Sequence, residues 1–214
     1  DLSAAVTRAA LEKVLAGEAT NAQIAAFIVA LRMKGEAVDE VVGLVDAMLD
    51  VAAPLELASP SATIDLVGTG GSSALGSRAF NVSTMASVVA AATGATVCKH
   101  GNRKASSASG STDLLEALGV EVELDGPAVA ACVREAGVGF AFARMFHPCM
   151  RHVAPVRTEL GIPTVFNVLG PLSHPGRVTR QVLGVSDPRL MSLVPEVLLR
   201  RGMDPGIGAA GGGD

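Results

Sequence analysis

The chain has 214 residues, with 17 Lys and Arg against 21 Asp and Glu, so its formal charge is −4, and 49% of its residues are hydrophobic. This composition excludes a disordered chain, which combines low hydrophobicity with high net charge, and the length allows a substantial core in one or two domains. The acidic balance argues against a nucleic-acid binder, which needs clustered Lys and Arg. Any anionic ligand must therefore be met by a local group of residues.

The cysteines and the apolar runs bear on the cellular compartment. Cys98, Cys132 and Cys149 are odd in number and widely spaced, which favours neither a disulfide framework nor a zinc site. No run approaches about eighteen consecutive apolar residues, and no leader-like pattern opens the chain. We therefore expect a cytoplasmic protein.

Apolar residues recur at helical spacing in three stretches of the first 50 residues. The first covers residues 6–15. The second follows Thr20-Asn-Ala-Gln23, a capping-box pattern, and is expected to end at Gly35. The third covers residues 38–49. These stretches predict a small domain of three amphipathic helices.

Beyond a Pro-containing segment at residues 53–61, short apolar strands alternate with helices. We predict strands at 63–67, 97–98, 120–124 and 140–143, and helices at 84–93, 113–118 and 127–136. The stretch 84–93 is apolar nearly all round, which predicts a buried helix. The alternation predicts an α/β domain with a largely parallel sheet, whose ligands bind beyond the carboxyl ends of the strands.

Two motifs suggest anion binding without requiring it. The first, Asp65-Leu-Val-Gly68-Thr-Gly-Gly71, runs from a strand into glycines that let backbone N–H groups approach an anion, although a tight strand-to-helix turn explains it equally well. It matches neither the dinucleotide nor the Walker fingerprint. The second, Asn81-Val-Ser-Thr84, opens the apolar helix, where its side chains can act as caps or help to bind phosphate.

A third motif favours a polyanion site more strongly. The basic run Lys99-His-Gly-Asn-Arg-Lys104 follows a strand and leads into the hydroxyl-rich segment 106–112. A solvated loop with a Ser cap is the alternative. Further on, His147 and His152 are five positions apart and share no helical face, which argues against a metal pair. Arg157 suits either a ligand carboxylate or a surface ion pair.

Taken in order, the motifs resemble those of the anthranilate phosphoribosyltransferase family. They are Gly68-Thr-Gly-Gly71, Phe80-Asn-Val-Ser-Thr84, Lys99-His-Gly-Asn-Arg103, Ser106-Ser-Ala-Ser-Gly-Ser111, His147-Pro148, Val156-Arg157 and Phe166-Asn-Val-Leu-Gly-Pro-Leu172. The likeness runs from the helical start to about Gly202. It implies a nucleoside phosphorylase/phosphoribosyltransferase-like fold, with a helical domain and linker in residues 1–60 and an α/β domain in residues 61–214. Part of 145–165 is expected to pack with the helical domain.

The resemblance also implies an activity and a set of site residues. The expected reaction transfers the phosphoribosyl group of phosphoribosyl pyrophosphate to anthranilate, with Mg²⁺, in a homodimer that serves tryptophan biosynthesis. No catalytic nucleophile is implied, and positioning falls to Lys99, Asn102 and Arg103. Anthranilate contacts carry over to Gly68, Asn102 and Arg157, and the metal contact to Ser83. Phosphoribosyl pyrophosphate contacts carry over to Gly68, Gly71, Ser72, Asn81, Val82, Ser83, Thr84, Lys99, His100, Gly101, Asn102, Arg103, Lys104, Ala105, Ser106, Ser107 and Ser111.

Three departures from the family pattern qualify this expectation. Ser72 replaces the usual Asp, and residues 72–79 lengthen the loop and end in Ala79 rather than a hydroxyl residue. The family's downstream Asp-Glu pair for Mg²⁺ has no counterpart before Asp214. The resemblance therefore predicts an incomplete α/β domain, truncated at its C-terminal side.

Two alternative functions follow from the same residues. Pyrimidine-nucleoside phosphorylases share the fold and a similar basic stretch, but their usual Ser-Gly-Arg-Gly-Leu-Gly-His-Thr-Gly-Gly-Thr segment is absent here. The second alternative is a non-catalytic paralogue or fragment that binds ligands without turnover.

Overall fold

The computed structural model describes residues 1–69, 80–103 and 110–203. The N-terminal part consists of three helices, α1 (Ala4–Leu15), α2 (Asn21–Lys34) and α3 (Val38–Asp50). The predicted capping box is confirmed, because Thr20 Oγ1 accepts from Gln23 N (3.3 Å) and Gln23 Oε1 accepts from Thr20 N (2.9 Å). At Gly35 a φ of +86° ends α2, as predicted. The predicted helical domain is therefore confirmed.

The remainder of the chain is an α/β domain around one parallel sheet. Its strands are β1 (Ile64–Gly68), β2 (Val97–Gly101), β3 (Val138–Phe142) and β4 (Arg180–Gly184), in the order β3-β2-β1-β4. Every pair of neighbours runs parallel. The helices are α4 (Val82–Ala92), α5 (Ser111–Ala117), α6 (Gly126–Ala136), α7 (Ala143–Phe146), α8 (Ala154–Leu160), α9 (Phe166–Leu172) and α10 (Leu190–Arg200), with a 3₁₀ turn at Pro148–His152. The parallel α/β prediction is confirmed.

One apolar core joins the helical domain to distant parts of the chain. It combines buried residues of α1, α2 and α3 with Val153, Val156, Phe166 and Leu169 from residues 149–172, and with Val197 of α10. A smaller core lies between α6 and the sheet. The segment that follows β3 therefore packs on the helical bundle and forms a wall beside the sheet.

The predicted strand at residues 120–124 is wrong, because the segment forms no ladder. Its alternation is real, since Val122 is buried between exposed glutamates. The carboxylate of Glu121, however, accepts hydrogen bonds from the backbone N–H groups of Val122 (3.0 Å) and Glu123 (2.9 Å). The Glu121 side chain therefore uses two backbone N–H groups that would otherwise donate to a neighbouring strand.

The predicted burial of the apolar helix at 84–93 is also wrong. The helix exists as α4, but Val82 is 64% exposed and Val89 63% exposed, whereas Thr84 and Ser87 are buried. Packing of α4 on the sheet uses its small polar residues, which leaves the larger apolar side chains outside. Six further elements, which are α7, the 3₁₀ turn, α8, α9, β4 and α10, are found where the sequence analysis predicts none.

Candidate active site

A cleft of about 1240 Å³ opens between the carboxyl ends of the strands and the wall formed by residues 143–171. Gly68, Gly101 and Gly184, the last residues of β1, β2 and β4, line it. Met48 of α3 reaches it from the helical domain. The predicted placement of the ligand site beyond the strand ends agrees with the position of this cleft.

The described lining of the cleft is strongly cationic. It includes Lys99, Arg103, Arg144, Arg151 and Arg157, and no Asp or Glu among the described lining residues. The whole chain carries a net charge of −4, so this concentration of positive charge is local. A cleft lined by positive charge attracts anions such as phosphates and carboxylates.

Arg157 on α8 is a partly buried guanidinium with no acidic partner among the described residues. Its carbon Cζ lies 5.7 Å from the centroid of the Phe166 ring. Burial lowers its pKa from the usual value, but a guanidinium stays charged at neutral pH. A desolvated Arg held over an aromatic ring keeps its donors available for a ligand carboxylate.

Lys99 and Asn102 extend the strand end of β2 into the cleft. Lys99 is almost fully buried, and its Nζ donates to Leu66 O (2.7 Å) and His100 O (3.3 Å). Burial lowers the pKa of Lys99, whereas the charge of Asp65 opposes that shift. Asn102 Oδ1 accepts from Arg103 N (2.8 Å), so the side-chain amide faces outward as a donor.

Arg103 is engaged by carboxylates outside the cleft. Its Nη2 pairs with Glu116 and with Glu123, the latter at 3.2 Å. Its Cζ also lies 4.9 Å from the centroid of the Phe142 ring. These contacts hold Arg103 at the rim, where an anionic ligand must compete with two glutamates.

Gly101 allows the end of β2 to approach the start of α5. A Cβ atom at Gly101 would lie 2.3 Å from Ser111 Oγ, which is closer than atoms can pack. Ser111 Oγ in turn lies 3.4 Å from the carbonyl oxygen of Asn102, to which it donates. A glycine at position 101 therefore brings two predicted site segments together.

The head of α4 is only partly in the cleft. Asn81, Val82 and Ser83 line it, whereas Thr84 does not. Thr84 is 2% exposed, and its hydroxyl has no hydrogen-bond partner among the described residues. The structure therefore does not bring Thr84 to the cleft with its neighbours.

Three buried histidines cluster at the floor of the cleft; His100 and His147 line the cleft, whereas His174 does not. His100 and His147 have ring centroids 5.3 Å apart, and His174 lies 5.7 Å from His100. Backbone carbonyls of Gly170, Ser173 and Cys98 accept from His100 Nδ1 (3.0 Å), His147 Nε2 (3.0 Å) and His174 Nε2 (2.9 Å) respectively. Because a carbonyl only accepts, each of these ring nitrogens carries the proton.

The floor histidines are held in the neutral form. Burial lowers the pKa of His147 to about 4 and lowers those of His100 and His174 as well. His174 Nδ1 accepts from Gly176 N (3.0 Å), which completes its bonding. The unprotonated His100 Nε2 and His147 Nδ1 have no partner among the described residues.

Most predicted site residues line one cleft. Those present are Gly68, Asn81, Val82, Ser83, Lys99, His100, Gly101, Asn102, Arg103, Ser111 and Arg157. Predicted contacts at Gly71, Ser72, Lys104, Ala105, Ser106 and Ser107 lie outside the described residues.

Sequence analysis missed Arg144, Arg151 and Asn167 as cleft residues. Arg144 is the second residue after β3, so the rule that ligands bind beyond strand ends could have identified it. Asn167, the second residue of α9, accepts through its Oδ1 from Thr164 N (2.9 Å), which lies two residues before the helix. Nothing local in the sequence marks Arg151, because only the packing of the 3₁₀ turn brings it to the cleft.

The described lining of the cleft offers a metal hydroxyl and carbonyl oxygens but no carboxylate. Within residues 1–69, 80–103 and 110–203, no three His, Cys, Asp or Glu side chains group as metal ligands. The Ser83 hydroxyl lines the cleft and is a hard oxygen donor of the kind Mg²⁺ accepts. The residues present fit Mg²⁺ that is shared with ligand phosphates, not a cage made by protein alone.

No helix in the described ranges combines the length and apolarity that a membrane crossing needs.

Two family descriptions match the chain. Residues 1–52 match the helical bundle domain of a glycosyl transferase family, and residues 60–213 match the a/b domain of the same family.

Similar proteins carry one name. Anthranilate phosphoribosyltransferases of Thermomicrobium roseum and Acidothermus cellulolyticus are 53% and 55% identical to the chain, over 88% and 95% of its length. The aligned part is 53% and 56% of those relatives. The chain therefore spans little more than half the length of the curated relatives it matches.

Solved structures give the same picture. An anthranilate phosphoribosyltransferase of Thermus thermophilus superposes with a TM-score of 0.88 at 46% identity, covering 94% of this chain and 60% of that one. The Saccharomyces cerevisiae enzyme in complex with PRPP and Mg gives a TM-score of 0.83 at 32% identity, with the same coverage of both chains. From its helical bundle through its parallel sheet, the chain belongs to the glycosyl transferase family that these two domains define.

Proposed function

We propose that the chain carries the phosphoribosyl-transfer site of an anthranilate phosphoribosyltransferase. The reaction moves the phosphoribosyl group from phosphoribosyl pyrophosphate to the amine of anthranilate, which yields N-(5-phosphoribosyl)anthranilate and pyrophosphate in tryptophan biosynthesis. The observation that carries the proposal is Arg157, a partly buried cation without an acidic partner among the described residues. It shares a cleft with Gly68 and Asn102 and suits the anthranilate carboxylate.

The charges of the cleft support the other half of the substrate pair. Phosphoribosyl pyrophosphate carries phosphates at both ends, and the described lining supplies cations without carboxylates. The Ser83 hydroxyl and the first N–H groups of α4 offer further contacts for phosphate. The names of the similar proteins agree with this chemistry.

The residues would act by position and by charge. Displacement of pyrophosphate builds positive charge on the sugar and negative charge on the leaving group, so fixed donors and cations lower the barrier. Lys99 and Asn102 are expected to orient the ribose, since both extend from the end of β2. Mg²⁺, when bound with Ser83 as one ligand, would neutralise pyrophosphate oxygens. A homodimer in the cytoplasm belongs to the same proposal.

The first test is anthranilate fluorescence in the presence of phosphoribosyl pyrophosphate and Mg²⁺. We expect Arg157→Ala to weaken anthranilate binding about tenfold to a hundredfold, because it removes a charged hydrogen bond to the carboxylate. Phosphoribosyl pyrophosphate binding should change far less. Arg134→Ala is the matched control, because Arg134 is exposed and pairs with Glu135 away from the cleft.

The outcomes separate the candidate functions. Equal loss of both affinities in Arg157→Ala would give Arg157 a structural role. Binding of both substrates without depletion of anthranilate at saturating Mg²⁺ would favour the alternative of a non-catalytic fragment. That alternative is specific because the aligned part is only 53% of the length of a relative. Depletion by the chain alone would contradict that alternative.

A second substitution tests the strand end. Asn102→Ala should slow transfer without unfolding the chain, because the Asn102 side chain is exposed in the cleft and makes one local backbone contact. The rate is measured from anthranilate fluorescence, and folding from the thermal midpoint. An unchanged rate would remove Asn102 from the site.

A further inference from the structure

A ring of hydrogen bonds beneath the cleft links three strands to α9. Asp65 on the central strand β1 is fully buried. Its Oδ1 accepts from the backbone N–H of His100 on β2 (2.9 Å), and its Oδ2 accepts from Gln181 Nε2 on β4 (2.8 Å). The strand register also places Asp65 opposite Gln181. One carboxylate therefore connects both neighbours of the central strand.

The other half of the ring reaches the end of α9. Gln181 Nε2 also donates to Pro171 O (2.7 Å), and His100 Nδ1 donates to Gly170 O (3.0 Å). The last carbonyls of a helix have no partners within the helix. Side chains from two strands therefore satisfy the final carbonyls of α9 and fix this helix against the sheet.

The amide of Gln181 has only one orientation that the ring accepts. Both Nε2 hydrogens are used, one by Asp65 and one by Pro171, whereas Oε1 has no partner among the described residues. A flipped amide would place Oε1 against the Asp65 carboxylate and the Pro171 carbonyl, which are both acceptors. The Gln181 amide therefore keeps both hydrogen bonds from Nε2, although leaving the buried Oε1 without a partner costs free energy.

The ring holds α9, which lines one side of the cleft, against strands whose ends line the other side. Helix α9 also carries Phe166, over which the Arg157 guanidinium lies at 5.7 Å. Asn102 follows immediately after β2, which the ring holds at His100. A shift of α9 along the sheet would therefore move Phe166, on whose ring Arg157 of α8 lies, relative to Asn102. Asp65 and Gln181 themselves do not line the cleft.

We propose that Asp65 and Gln181 are positioning residues that select the ortho arrangement of amine and carboxylate in the aromatic acceptor. This inference rests on the proposed function. When an aromatic acceptor binds Arg157 through its carboxylate, the substitution pattern of its benzene ring fixes the distance from the Arg157 guanidinium to the acceptor amine. We expect the bridge between α9 and the sheet to hold the two sides of the cleft at the separation that suits the ortho isomer better than the meta isomer.

The test compares anthranilate with 3-aminobenzoate on Gln181→Met, which has a similar length but no donor. Dissociation constants for both isomers and for phosphoribosyl pyrophosphate are measured with Mg²⁺ present. We expect the anthranilate constant to rise about tenfold and the other two to stay within about threefold, because the bridge loses a hydrogen bond to a charged group. The preference for the ortho isomer then falls about tenfold.

A control variant separates positioning from general stability. Ile28→Val alters the fully buried core of the helical domain, away from the ring. It should lower the thermal midpoint while leaving the ortho preference unchanged. An ortho preference in Gln181→Met equal to that of the unaltered chain would overturn the inference, as would an equal loss for all three ligands.

A ligand-free measurement keeps the inference distinct from the proposed function. Proton exchange at His100 Nδ1 is followed by ¹⁵N NMR of the imidazoles, and Gln181→Met should accelerate it as α9 loosens. Unchanged exchange would overturn the ring as a positioning device. If the unaltered chain binds neither anthranilate nor 3-aminobenzoate, the proposed function fails, and selection between the isomers fails with it.

Discussion

The core of the helical domain and the floor of the cleft treat buried polar groups in opposite ways. In the helical domain, Glu40 is fully buried, but its carboxylate accepts from Leu2 N, Ala37 N and Lys34 Nζ. Thr7 is fully buried as well, and its hydroxyl donates to Ser3 O (3.2 Å). The buried polar side chains of this region are satisfied.

Among the described residues, every buried side-chain nitrogen or oxygen atom that has no hydrogen-bond partner lies in the α/β domain. They belong to Thr84, His100, His147, Thr164, Ser173 and Gln181. Two of these residues line the cleft, and a third closes the ring beneath it. Unsatisfied buried atoms reduce stability, so their concentration beside the cleft indicates a region shaped by ligand chemistry, whereas the bundle is shaped by packing.

The largest expected effect comes from the satisfied bundle. Leu44→Ala removes a fully buried side chain of α3 and should lower the free energy of unfolding by about 3 kcal/mol, because it leaves a cavity in a packed core. Leu199→Ala is the matched control, since that side chain on α10 is 57% exposed. Chemical denaturation measures both, and equal effects would contradict the packing of the bundle.

Acid should weaken the floor instead of the bundle core. The pKa of His147 is about 4 in the folded chain, below the usual value of 6.5, so the unfolded chain binds this proton first. Stability is therefore full above about pH 6.5 and falls as the pH drops toward 4, by about 3 kcal/mol from this group alone.

The pH dependence is measured by denaturation between pH 7 and about pH 4, the range that the linkage covers. His147→Gln should flatten the curve, whereas His152→Gln should not, because His152 packs at Gly17 outside the floor. A curve that keeps its slope in His147→Gln would show that other groups cause the acid sensitivity.

Two threonines give opposite signs for one substitution. Thr7→Val breaks a satisfied hydroxyl bond and should destabilise the chain by about 1 kcal/mol. Thr84→Val removes a buried hydroxyl that has no partner among the described residues, and it should stabilise the chain by up to about 1 kcal/mol. Unfolding midpoints of the two variants test the comparison, and effects of the same sign would contradict it.

The smallest effect is expected on the outer face of α4. Val89→Gln should change the free energy of unfolding by no more than about 0.5 kcal/mol, because the side chain is 63% exposed. Val41→Gln, at a fully buried site of α3, is the control that should be strongly destabilised. A large loss in Val89→Gln would mean that this face is covered in solution.

Local patterns predicted most elements for physical reasons that the structure displays. The Thr20 to Gln23 cap and the left-handed Gly35 depend on neighbours within four positions, so their signals are complete in the sequence. Residues 120–124 have the alternation of a strand, but a strand also needs a neighbouring strand to accept its backbone N–H groups. Here the Glu121 carboxylate accepts those hydrogen bonds instead. Helix α4 shows that apolar composition does not decide which face packs.

The sequence by itself determined the helical bundle, the parallel sheet and the order of the motifs that give Gly68, Lys99, Asn102 and Arg157. The bundle and the sheet depend on local spacing, whereas these four site residues follow from the likeness of their motifs to those of a known family. Only the tertiary structure decided that Thr84 turns away from the cleft, that Arg151 joins it, and that Asp65 and Gln181 close a ring beneath it. Those outcomes depend on contacts between residues as many as 116 positions apart, which no local pattern encodes.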